Sequence, residues 1–203
     1  MPDARPLILA FDTSAAHCAA ALLSGDELLQ TLVEPMAKGQ AERLVGLCQE
    51  ILAAAGVGMR DLTSIGVGVG PGNFTGIRIS VSAARGMALG LDIPAIGVSA
   101  FEALRFGTIG PCVCAVDARR DQIFVQGFEN PTISEPLLMT FDALPTFQGP
   151  LIGAQGIAPR FPVAEAIARI AALHGGPATR PQPLYLRQAD AAPARDAPPV
   201  IVQ

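Results

Sequence analysis

Gly66, Gly68, Gly70, Gly72 and Gly76 fall within eleven residues, between a short apolar run and a long helix-like segment. Glycine loses more backbone freedom on folding than any other residue, so a cluster of this density needs a steric reason. The pattern predicts a strand over 65–69 that ends in a tight turn. The backbone of that turn comes close to something, and Asn73 or Thr75 caps the helix behind it. Bare N–H groups at a helix start can hold a phosphate. The same small residues can instead let another element pack closely. The standard phosphate motifs do not fit. A P-loop needs a lysine after its second glycine, and the only lysine in the chain is Lys38. In a dinucleotide fingerprint counted from Gly70, Thr75 stands where the third glycine belongs. Two readings therefore stand side by side, a structural turn and a ligand or partner site.

A chain of 203 residues fits one compact unit or two small lobes. Apolar residues make up 50% and charged residues 16%, which gives ample core and leaves sparsely charged surface for a partner to cover. The net charge is −4 and the arginines are scattered, so nothing predicts strong direct binding of nucleic acid, which needs clustered positive charge. Cys18, Cys48, Cys112 and Cys114 form no C-x-x-C pair and read as small buried hydrophobes of a reducing compartment. The start of the chain shows no cleavable signal pattern, and no apolar run is long enough to span a bilayer. The expected location is the cytoplasm.

Apolar runs at 7–11, 17–23 and 28–33, with a turn at Ser24, Gly25 and Asp26, predict a three-stranded antiparallel meander. A helix follows over 40–55. Its stripe of Leu44, Leu47, Cys48, Ile51 and Ala55 is flanked by a second one carrying Val45 and Leu52. One stripe should face the sheet and the other a second protein. A second helix over 74–89, capped by Gly90, carries the small row Ser82, Gly86 and Gly90, which admits close approach by another helix. A fifth strand at 94–98 and a short helix capped by Ser99 complete an α/β unit with a mixed five-stranded sheet. The remainder echoes it: a strand at 112–116 ends in Asp117, as the first ends in Asp12, with strands at 122–128, 136–140 and 151–153 and a helix at 163–173. The expected division is a first lobe at 1–105, a shortened second lobe at 106–188 and a mobile tail at 189–203.

Several stretches together resemble one family: Ile8 to Ser14, Gly70 to Arg78, Gly97-Val98-Ser99, Val116 to Arg119, and Pro183 to Arg187. The chain is similar to the TsaB (YeaZ) family, the dimerisation subunits of the bacterial tRNA threonylcarbamoyladenosine machinery. The resemblance implies two lobes of the actin-like, ribonuclease-H-like fold. It also implies a partner, TsaD, that transfers a threonylcarbamoyl group from its adenylate to N6 of the adenosine beside the anticodon. The ATPase TsaE would join the pair, and tRNA would be met only through the complex. On this likeness the two first-lobe helices form a bundle with TsaD, through Leu44, Val45, Cys48 and Leu52 of the first and Arg78, Ser82, Arg85, Gly86 and Leu89 of the second. The same helices would support a homodimer when the chain is alone. The signature loop would be Gly70, Pro71, Gly72, Asn73, Phe74, Thr75 and Gly76. Two features depart from the family. Gly39-Gln40-Ala41 stands where a histidine often precedes the first helix, and the stretch between Phe128 and Leu151 is short.

The residues offer little to a catalyst. His17 and His174 are the only histidines, with no H-x-x-x-H pair to hold a metal. No serine sits in a G-x-S-x-G elbow, so neither a protease nor another nucleophilic enzyme is expected. Asp12, Thr13 and Ser14, with Asp117 opposite, are the one candidate nucleotide site, since this turn faces the phosphates in the actin-like fold. ATP binding there and a vestigial turn both remain open, and no cofactor is required. The leading expectation is a non-catalytic scaffold. The alternative is an independent actin-like ATPase or small-molecule kinase.

Overall fold

The computed structural model describes residues 5–129, 131–174 and 179–187. Its centre is β1 (Leu7–Asp12), buried at every position because both faces of the sheet are covered. β2 (His17–Ser24) and β3 (Glu27–Pro35) pair antiparallel beside it, as the meander predicts. β4 (Ser64–Gly68) and β5 (Ala95–Val98) run parallel to β1 on its other side. The order β3-β2-β1-β4-β5 requires helical crossovers before β4 and β5. α1 (Gln40–Ala54) and α2 (Phe74–Leu91) supply them and cover one face, packing on Leu9, Phe11, Cys18 and Ile65.

α2 runs past its expected end. Gly90 lies inside the helix, and Asp92 closes it in the left-handed region at φ 54°, donating its N–H to the Ala88 carbonyl. α3 (Ala100–Arg105) begins with a capping box in which Ser99 and Glu102 satisfy each other's backbone N–H groups.

The second sheet contains β6 (Cys112–Asp117), β7 (Gln122–Glu129), β8 (Thr132–Ile133), β9 (Leu137–Thr140) and β10 (Leu151–Gly153). It is ordered β10-β6-β7-β8, with β9 also on β7. Cys112 and Cys114 share one buried face of β6 with Phe101, Phe124 and Phe128. α4 (Val163–Ala172) covers the far face of the first sheet, not the second. Strands buried on both faces need that cover, and alanines on α4 fit the alanines on the sheet: Ala164 meets Ala19 and Ala21, while Ala166, Ile167 and Ala171 pack with Ile8, Ala10 and Leu23. α3, assigned to the first lobe, packs on β6 and α4. The expected tail lies outside the described residues. Two mixed sheets with this strand order and these crossovers make the actin-like, ribonuclease-H-like two-lobe fold.

Candidate functional site

The turn after β1 and the glycine-rich loop are one structure. Asp12, Thr13 and Ser14 are all buried. The Asp12 carboxylate accepts from the Ser14 N–H at 3.0 Å and the Ser14 hydroxyl at 3.0 Å, and lies 2.7 Å from His17 Nε2. The Thr13 hydroxyl donates to the Gly76 carbonyl at 2.7 Å. From the loop side, the Asn73 N–H donates to the Ser14 carbonyl at 2.6 Å, and Asn73 Oδ1 caps α2 by accepting from the Gly76 N–H at 2.9 Å. A Cβ at Gly72 would strike the Ser14 carbonyl oxygen, and one at Gly76 the Thr13 carbonyl oxygen. The turn after β1 is thus the steric reason for Gly68, Gly72 and Gly76, whereas a Cβ at Gly66 would meet Ile167 and Ala10 and one at Gly70 would meet Ile77. The loop lies on the groups a phosphate would need, and Asp12 Oδ1, the Thr13 and Ser14 hydroxyls and the Ser14 carbonyl all find partners within the protein.

Asp117 ends β6 in the other sheet, is exposed, and accepts from the Arg119 N–H at 2.8 Å within its own turn. Among the described residues no hydrogen bond or ion pair joins it to Asp12. No group of three or more His, Cys, Asp or Glu among them could hold a metal. His17, read from sequence as an ordinary histidine, is a partner of Asp12. Its position five residues on, across the β1–β2 turn, is the only trace of that role in the sequence.

The helix face is redrawn. Leu44, Cys48 and Leu52 are buried in the chain's own core, so they cannot meet a partner in this conformation. Of the two stripes on α1 one is expected on the sheet and the other on a second protein, yet α1 packs within the chain on β2, β3 and α2. Val45 is 45% exposed and Leu89 81% exposed. Ser82 and Gly86 are exposed, and a Cβ at Gly86 or Gly90 would meet nothing within 4 Å. Arg85 is half-buried. Arg78 is exposed, but it already has partners in the chain: its guanidinium stacks 3.8 Å from the centre of the Phe74 ring, and Nε donates to the Tyr185 hydroxyl at 2.9 Å. The sequence also hides Arg43, which bridges Glu34 at the end of β3 and Glu50 on α1, at 2.6 Å to each. No helix among the described residues is long and apolar enough to cross a membrane.

The family described as TsaD, tRNA N6-adenosine threonylcarbamoyltransferase, matches residues 34–137. The tRNA threonylcarbamoyladenosine biosynthesis protein TsaB of Escherichia coli is 33% identical over 122 residues, 58% of this chain and 52% of that protein. The Bacillus subtilis protein of the same name is 35% identical over 123 residues, with 58% and 52% covered. The chain spans about half the length of these curated relatives. YeaZ from Pseudomonas aeruginosa superposes with a TM-score of 0.62 at 26% identity, covering 72% of this chain and 74% of that one.

Proposed function

This chain belongs to the TsaB (YeaZ) branch of the TsaD-type threonylcarbamoyltransferase family, and from that premise we propose that it is a non-catalytic scaffold in tRNA threonylcarbamoyladenosine biosynthesis. In this reading it pairs with a TsaD subunit through the exposed face of α1 and α2. It helps recruit TsaE, meets tRNA only through the assembly, and pairs with itself through the same face when TsaD is lacking. The observation that carries the proposal is the sealed turn after β1. An actin-like ATPase or kinase needs that turn open to phosphate, whereas here Asp12 Oδ1, the Thr13 and Ser14 hydroxyls and the Ser14 carbonyl are taken up by His17, by one another and by the glycine-rich loop. A sealed turn argues for binding over turnover.

The open row of Ser82, Gly86 and Gly90 supports the choice of face. Small side chains let two helix backbones approach, and the projecting Leu89 gives the partner an apolar anchor worth about 1.5–3 kcal/mol on full burial. Co-purification with the TsaD of the same organism tests the reading. The native chain should pair, and the chain alone should turn over no ATP. Steady ATP hydrolysis that is lost in an Asp12→Asn variant would replace the scaffold with the ATPase alternative.

A further inference from the structure

Two-lobed folds ordinarily hinge about the few segments that cross between the lobes. Here residues 181–187 lie across both. The Leu184 N–H donates to the Val69 carbonyl at 2.8 Å, at the mouth of the glycine-rich loop, and its side chain packs on the core of the first lobe. Leu186, two residues on, packs on the core of the second lobe, against the cluster of Phe101, Cys114 and Phe128. Between them Tyr185 lies over Phe74, ring centres 4.7 Å apart, and its hydroxyl accepts from Arg78. Beyond them Arg187 donates to the Ala118 carbonyl at 3.1 Å and to Gln122 Oε1, closing on the turn between β6 and β7. Within one short segment, Leu184 and Tyr185 thus fasten to the first lobe and Leu186 and Arg187 to the second.

We propose that residues 181–187 are an inter-lobe latch that holds the two lobes at one angle and keeps the glycine-rich loop seated on the turn after β1. Two features of the contacts favour a latch over passive packing. The backbone bond to Val69 sits where β4 becomes the loop, so losing it frees the strand end from which the loop hangs. The Phe74–Arg78–Tyr185 stack grips the first turn of α2, so the start of that helix and the turn between β6 and β7 share a fastening in Tyr185 and Arg187. The latch stands independently of the scaffold reading, since it concerns the free chain.

Hydrogen–deuterium exchange on the full chain tests it through reciprocity between the lobes. Arg187→Ala removes contacts made only to the second lobe, yet amides in 70–78 should exchange at least tenfold faster. Tyr185→Ala removes contacts made only to the first lobe, yet amides in 117–123 should speed up comparably. If each variant loosens only its own end, the latch is wrong and the segment is two separate packing contacts. Should the alanine variants fail to fold, Tyr185→Phe, which keeps the ring stack and removes the hydroxyl, and Arg187→Lys carry the same test. Each should give a smaller shift in both lobes, and a shift confined to one lobe would again overturn the proposal.

Discussion

At Gly76 there is no room for a methyl group, because the Thr13 carbonyl occupies the place a Cβ would take. Gly76→Ala should therefore destabilise the fold by about 3 kcal/mol in urea unfolding, as overpacking against immobile backbone does. Gly86→Ala, in open space on the same helix, should stabilise it by up to about 1 kcal/mol through helix propensity. Equal effects of the two would mean that the loop is not seated on the turn after β1. The chain displayed both glycines with equal clarity but not their difference, since spacing shows that a backbone comes close to something and not what that is.

Titration gives a second test at this scale. The Arg43 guanidinium, hydrogen-bonded to both carboxylates, holds Glu34 and Glu50 below the ordinary value of 4.5. A lowered folded-state value means the contribution to stability is present in full above 4.5 and is lost as the pH falls from there through the lower folded-state value. The gap in melting temperature between the native chain and Arg43→Ala should be widest at neutral pH and close in acid. A gap independent of pH would show that Arg43 acts by packing alone. Burial pushes the Cys18 thiol up to about 11 and Cys48 up to about 12. Neither should react with a thiol reagent at neutral pH until the protein unfolds, and rapid labelling of the native chain would contradict their burial.

At the scale of elements, the helices were legible and their outward faces only half so. Hydrophobic period located α1 and α2 to within a few residues, and the small row on α2 is as open as its spacing suggests. The same period could not divide the apolar residues of α1 between its own core and a partner. Leu44, Cys48 and Leu52 went to the core because α2 packs beside α1 and the sheet lies beneath both. The contact of Arg78 within the chain is hidden for a similar reason, since Tyr185 lies 107 residues away. Gly86→Leu puts a large side chain into the approach path while touching nothing in the free chain. It should weaken pairing with TsaD at least tenfold in a binding titration and leave the circular dichroism and melting temperature unchanged. Normal pairing by that variant would move the interface off this face.

At the scale of the molecule, the order of strands and helices gave the fold class, but α4 shows where local pattern stops. Its apolar period announced a helix without saying which sheet it would cover, and small residues on both sides sent it back to the first. The sealing of the turn after β1 is likewise a property of the whole. From sequence Asp12 is a candidate nucleotide ligand, the glycine-rich loop a structural turn or a ligand or partner site, and His17 an ordinary histidine; only the folded chain shows them closing on one turn. The scaffold account rests on that closure. Its most direct test is reconstitution: tRNA, threonine, bicarbonate and ATP with the TsaD, TsaE and adenylate-forming enzymes of the same organism, with and without this chain. The account predicts that modified adenosine forms only when the chain is present and that Asp12→Asn, provided it folds, retains most of that support. Equal modification without the chain would contradict it.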